Sequence, residues 1–490
     1  LANTRPIEIE VNSPIDAEGM FDLLTYEKGG SVLRMLQQFL GEDEFRDGIS
    51  YYLNKHKYKN TETNDLWDAI EHVTQQPARR IMDSWIFQRG YPLVSASISE
   101  DGSTITLEQN RFLYTESEIA DTTIWSVPVV LKVGSGAGVS EIRYLLEEKS
   151  AEVKLDSPAD WAALNAGGSG FFRSRYSSEM LTALSGSMFE NLTPIERYGL
   201  VDDTWSSVMA GRTSASDFLV FARSFQEETD LDVWTALSGC LAGLEKLVEG
   251  EAKEQYRAAV RGLAQPALDR LGWEPGDGDS SRDLELRALF IRLLANVGDD
   301  GLAQKNAGDL HDSYLRDAGS VEPNIAAAAT GVVASKGGAA EYEVFLAKHR
   351  DPATPQEERR YQSALSAFPG EAEMKRTLDM SLSGEVRTQD APYLLAVCMR
   401  NREQGYLAWQ FVKDNWDKIN EVFPSNSIVR MLSGITSLSK GDQADDVIAF
   451  FEDHEVPQGQ LTLQQTLEKL RVNVALRERE SERFAESLVR

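Results

Sequence analysis

Cysteine is nearly absent: the 490 residues hold two, Cys240 and Cys398. Each sits among apolar neighbours. This excludes a disulfide framework and reads as two buried thiols of a protein in a reducing, cytoplasmic compartment. Histidine is almost as scarce. The five are His56, His72, His311, His349 and His454, and no two are four residues apart. That excludes the pair of ligands on one helical face that a catalytic zinc requires. No run of about 18 apolar residues occurs, so no membrane-spanning helix is expected. Residues 1–15 lack a basic start followed by an apolar core, so no signal peptide is expected either. Positive charge is the last shortage. Lys plus Arg is 50 against 78 for Asp plus Glu, a formal net charge of −28. Such a surface repels nucleic acid and anionic membranes, and it serves solubility or attracts a basic or free-amine peptide.

What is present is an ordinary apolar fraction, 42%, in a chain too long for one core, so two to four domains are expected. The stretch from Met20 to Leu40 organises the first part. Val32, Leu33, Leu36, Phe39 and Leu40 fall at the three-and-four spacing of a helix with one apolar face, and Gly41 supplies a stop. Tyr26, Lys28, Gly29 and Gly30 stand where that helix should begin. Paired glycines there predict that something packs close to the backbone. Before it, T-R-P-I-E-I-E-V-N-S-P reads as extended, with Ile7, Ile9 and Val11 alternating. A second helix carries an inner stripe of Phe45, Ile49, Tyr52, Leu53 and His56. A third begins at Thr63 as N-cap and carries Leu66, Trp67, Ile70 and Val73. A fourth runs over Arg79–Gln88 and is ended by Gly90 and Pro92.

From residue 92 the period changes to two. P-L-V-S-A-S-I and S-T-I-T-L-E-Q flank Asp101-Gly102, a hairpin signal. In W-S-V-P-V-V-L-K, Pro128 marks an edge or a bulge. Six or seven short strands predict a small sandwich. Gly167, Gly168 and Gly170 have no following Lys-Ser/Thr, so they read as a turn and not as a phosphate loop. From residue 177 nearly everything has helical period. About sixteen helices are expected, among them Ile195–Ala210, Ala215–Phe225, Leu231–Leu247, Ala252–Leu271, Leu284–Ala295, Glu403–Trp416 and Leu461–Leu488. Pairs of roughly 35–45 residues suit a HEAT-like solenoid.

Several strings carry a family likeness, and their shared order makes it specific. F-D-x-x-x-Y-x-K-G-x-x-V-L-R-M-L, L-G-E-x-x-F-x-x-G-I-x-x-Y-L, H-x-Y-x-N-T, D-L-W-x-A-I and W-x-x-Q-x-G-Y-P-L all resemble the zinc aminopeptidases of the aminopeptidase N and puromycin-sensitive type, which are gluzincins. So do N-x-G-G-S-G-F-F-R-S-R-Y, T-P-I-E-R-Y-G-L-V-D-D-T-W, E-T-D-L-D-V-W and G-Y-L-A-W-Q-F-V-K-D-N-W further on. In the junction string Phe171 and Phe172 stand where the family has tyrosines. The resemblance implies a mainly α chain with three parts. Residues 1–91 would be the helical remainder of a thermolysin-like catalytic domain, 92–176 a β-sandwich linker domain, and 177–490 a HEAT-like α-solenoid that caps the active site.

The resemblance also assigns a role to Tyr26, whose hydroxyl would point at the scissile carbonyl oxygen. A phenol is a neutral donor near pH 7 and can stabilise an oxyanion. Arg430, in S-I-V-R-M-L, is a candidate for meeting a peptide carboxylate with its forked guanidinium; the plainer reading is one solvated helix charge. The family's zinc motif H-E-x-x-H and its G-x-M-E-N motif lie upstream of Y-x-K-G, and neither occurs here. His56 and His72, sixteen apart, read as structural. The expectation is therefore a chain cut from something longer. Zinc would belong to the complete enzyme and find no ligands here, and the partners would be peptide substrates and the missing N-terminal half. The alternative is a non-catalytic helical scaffold or peptide-binding module.

Overall fold

The computed structural model describes residues 4–13, 20, 24–115, 121–456 and 459–489. The chain is mostly helical, with one β region of two sheets. It divides into two compact units, Leu1–Thr213 and Ser214–Arg490.

In the first unit a π-turn, Leu24–Lys28, runs straight into α1 (Gly29–Leu40). Val32, Met35, Leu36 and Leu40 form the buried face of α1. Gly41 ends the helix at φ 111°, a conformation that a Cβ would strain, and its N–H caps the Gln37 carbonyl at 2.9 Å. Then follow α2 (Glu42–His56), α3 (Thr63–Thr74) and α4 (Ala78–Ile86). Gly48 lets α2 and α3 approach closely: a Cβ there would meet the Ile70 Cα at 3.1 Å. This contact corrects the expected stripe of α2. Leu53 lies about 140° around the helix from Gly48 at 3.6 residues per turn, and it is 60% exposed. The cap of α3 is also corrected. Glu62, not Thr63, is the N-cap, in a reciprocal box with Asp65. The Thr63 hydroxyl instead donates to Glu8 at 2.8 Å. The opening segment makes no strand. The Ile7 and Glu8 N–H groups share the Ile86 carbonyl at the end of α4, at 3.0 and 3.3 Å.

The strands are β1 (Pro92–Ile98), β2 (Thr104–Arg111), β3 (Val127–Ser135), β4 (Gly138–Leu146), β5 (Ser150–Lys154), β6 (Ala159–Ala163) and β7 (Arg173–Tyr176). They form a four-stranded sheet, β5-β2-β1-β7, and a three-stranded sheet, β4-β3-β6. The β1–β2 hairpin closes with Ile98 opposite Ile105. Pro128 lies in the central strand of its sheet, yet β6 pairs only with Lys132–Ser135. The missing N–H therefore falls where β3 has no strand on that side. Both sheets share one apolar core with α1, α3 and α4, through Leu36, Trp67, Trp85, Leu107 and Leu131. Trp85 also donates its indole N–H to the Ser126 carbonyl at 3.0 Å, which fastens α4 to the start of β3. Two helices, α5 (Ser178–Asn191) and α6 (Pro194–Met209), complete the unit. A capping box of Thr193 and Glu196 starts α6. Glu196 also accepts the Gly167 N–H at 2.8 Å, so the glycine turn faces a carboxylate.

The second unit has fifteen α-helices among the described residues. They are α7 (Ala215–Ala222), α8 (Leu231–Glu245), α9 (Gly250–Leu271), α10 (Ser281–Arg292), α11 (Gly301–Arg316), α12 (Pro323–Lys336), α13 (Ala339–Arg350), α14 (Pro355–Leu365), α15 (Glu371–Ser383), α16 (Ala391–Arg400), α17 (Gly405–Asp414), α18 (Trp416–Val422), α19 (Ser425–Met431), α20 (Gly441–Asp453) and α21 (Gln460–Val489). Neighbours pack in pairs, as α11 with α12 and α13 with α14. Every second helix also packs in the series α10, α12, α14 and α16, and α16 packs further on α19. One helix expected over Glu403–Trp416 is two, parted at Asn415. The break buries Trp416 against Phe450 and Phe451, with ring centroids 5.4 and 5.8 Å away. Both cysteines are buried and free. Burial pushes the Cys398 thiol up to about 12.

Candidate active site

The π-turn that opens α1 carries Tyr26 outward. The ring is 60% exposed and lines a cleft of about 630 Å³. The cleft is lined by Ile7 and Glu8 of the opening segment, Gly29 and Gly30 of α1, Tyr52 of α2, Thr61 and Glu62 before α3, Leu66 and Trp67 of α3, and Met82 and Ile86 of α4. The turn is held from two sides. Arg5 donates to the Thr25 hydroxyl at 3.0 Å, next to Tyr26. On the other side Lys28 is 4% exposed, and its Nζ donates to the carbonyls of Gln88 and Gly90, each at 3.0 Å. Those two acceptors lie just past the end of α4. Burial pulls the Lys28 amine down to about 8, and the nearby Arg111 charge adds to the effect.

Gly29 and Gly30 differ from their expectation. Among the described residues, nothing lies within 4 Å of where their Cβ atoms would stand. The glycines leave bare backbone in the cleft lining instead of admitting a packed neighbour. An extended chain can therefore lie against bare backbone beside a phenolic donor. This arrangement can bind a peptide and place one neutral hydrogen-bond donor on it.

Arg430 lies on α19 of the second unit, exposed, and its Nη1 donates to the Tyr393 hydroxyl at 2.9 Å. His56 and His72 are not brought together. His56 lies against Tyr52 with ring centroids 5.4 Å apart, and His72 against Tyr51 at 4.8 Å. Among the described residues no group of three His, Cys, Asp or Glu could hold a metal ion. The described residues therefore do not fit a zinc centre. Lys28 escaped the sequence reading, because an internal lysine carries no periodic signal; its place in Y-x-K-G was the only hint.

Residues 161–472 match the ERAP1-like C-terminal domain, and residues 1–85 match the peptidase family M1 domain. Three relatives give the scale of the likeness. Aminopeptidase M1 of Arabidopsis thaliana is 32% identical over 503 residues, covering 96% of this chain and 56% of its own. The puromycin-sensitive aminopeptidase of Caenorhabditis elegans is 32% identical over 434 residues, covering 85% and 45%. The alanine/arginine aminopeptidase of Saccharomyces cerevisiae is 30% identical over 482 residues, covering 96% and 55%. The chain belongs to the ERAP1-like C-terminal domain family and corresponds to the C-terminal part of M1 aminopeptidases. It spans about half the length of the curated relatives it matches.

Proposed function

We propose that this chain is the C-terminal portion of a zinc metallo-aminopeptidase that hydrolyses the N-terminal residue from peptides in the cytoplasm. Tyr26 donates a hydrogen bond from its phenolic O–H to the carbonyl oxygen of the scissile bond and so stabilises the oxyanion that forms there. The observation that carries this reading is an exposed Tyr26 on the wall of a cleft lined in part by bare glycine backbone. In the complete enzyme a bound zinc would supply water activation, and its ligands would come from the N-terminal half, which is this chain's main partner. The residues here bind and orient the peptide. Residues 1–91 serve as the end of the catalytic domain, 92–176 as a β-sandwich linker, and 177–490 as a HEAT-like solenoid capping the substrate chamber. Arg430, already aimed by Tyr393, takes a peptide carboxylate.

Reconstitution tests the reading. The chain, the upstream half and their mixture are assayed on an aminoacyl amide. Activity is expected only in the mixture, with zinc bound there and not to this chain alone. An inactive mixture, from a gene that lacks H-E-x-x-H upstream, would establish a non-catalytic scaffold in its place.

A further inference from the structure

The second unit contains a basic groove that the aminopeptidase reading does not use. A cleft of about 530 Å³ opens over α12, α14 and α16 and includes Arg359, Arg360 and Arg400 in its wall. A second, of about 510 Å³, includes Arg400 again and Lys469 of α21. Arg400 is thus common to both walls. The other polar lining is neutral: Thr330, Ser363 and Asn401 in one, Ser433, Thr436 and Thr466 in the other. Neither wall includes an Asp or Glu. In a chain with 78 acidic and 50 basic side chains, four cations gathered without one carboxylate are against the average.

These cations are also unspent. Among the described residues Arg400 donates only to a neutral hydroxyl, that of Ser433 at 2.8 Å. Arg359 and Lys469 enter no hydrogen bond or ion pair among the described residues. Arg360 stacks its guanidinium over the Tyr314 ring at 5.1 Å. Its Nη1 is shut from solvent and has no acceptor among the described residues. Nearby Glu357 is engaged elsewhere: it accepts from the Ala353 N–H at 2.6 Å and faces Lys348 at 3.8 Å.

We infer that this groove binds an acidic peptide segment, with carboxylates paired to Arg359, Arg360, Arg400 and Lys469 and backbone polar groups on the hydroxyls. Two adjoining clefts suit an extended ligand with several charges better than a single small anion. Nucleic acid is disfavoured by chemistry: neither wall includes an aromatic ring on which a base could stack. Arginine forks match carboxylates two bonds at a time.

The test is a fluorescence-anisotropy titration of fluorescein-labelled hexaglutamate with the whole chain at low salt. Saturable binding is expected, weakened about tenfold or more between 50 and 300 mM NaCl as the Debye length shortens. Charge reversal by R359E/R400E should weaken it at least tenfold. The neutralising pair R359Q/R400Q, which keeps the side chains hydrated, should weaken it severalfold with unchanged circular dichroism. Lys305→Glu, on α11 and outside both clefts, should leave it unchanged. Four results would overturn the inference: no saturable binding, binding indifferent to both double variants, citrate competing as well as hexaglutamate, or an oligothymidine binding more tightly.

Discussion

Lys28 in the first unit is a buried cation and Arg360 in the second a half-buried one, and their charges are met differently. Lys28 finds two main-chain carbonyls at 3.0 Å. Arg360 has an aromatic face beneath it and a buried nitrogen with no acceptor among the described residues. A buried cation with fixed acceptors is scaffold, because folding alone completes it. Arg360, half-buried in a cleft wall, is open to a ligand's charge. The contrast separates the wall that positions Tyr26 from the groove proposed to hold an acidic peptide.

The largest expected effect is on the scaffold side. Lys28→Ala leaves two buried carbonyls without a donor and opens a small cavity, so it should destabilise the first unit by about 3 kcal/mol in urea denaturation. If it costs no more than a surface substitution, Lys28 does not hold the turn. The pH dependence sharpens the same point. The folded amine titrates at about 8 and the unfolded one near 10.5. Between those values the unfolded chain binds the extra proton, so stability rises with pH, by about 3 kcal/mol over the whole interval. Tyr91, which burial lifts to about 12, acts in the opposite sense above its ordinary value of 10. The rise is therefore best read from pH 8 to 10, as the difference between wild type and Lys28→Met; a flat difference contradicts it. Gly41→Ala, forced to hold φ 111°, should cost about 1 kcal/mol. Arg359→Gln should change stability by less than about 0.5 kcal/mol, since folding does not use that charge. A larger loss would move Arg359 to the scaffold side and break the contrast.

Much of this was legible beforehand, for definite reasons. The apolar face of α1, the stop at Gly41, the Asp101-Gly102 hairpin and the long helix ending in α21 rest on local periodicity and turn chemistry, which sequence records directly. What escaped depended on partners distant in the chain. Leu53 matched the α2 stripe, but the face of α2 is set by Gly48 meeting Ile70 of α3. The helix over Glu403–Trp416 looked continuous until Trp416 had to reach Phe450 and Phe451. Ile7 and Ile9 alternate as a strand would, yet the segment bonds to the end of α4. For the site, Tyr26 was legible only through its string. Lys28 and the basic groove needed three dimensions, because Arg359, Arg400 and Lys469 come from three separate helices.

The kinetics of Tyr26→Phe in the complete enzyme test the central claim most directly. Losing a single oxyanion donor typically costs about 100- to 1000-fold in turnover. That loss is expected in kcat, with KM for a peptide substrate nearly unchanged, because the bond is made to the transition state. A variant that keeps wild-type kcat would contradict the role given to this phenol.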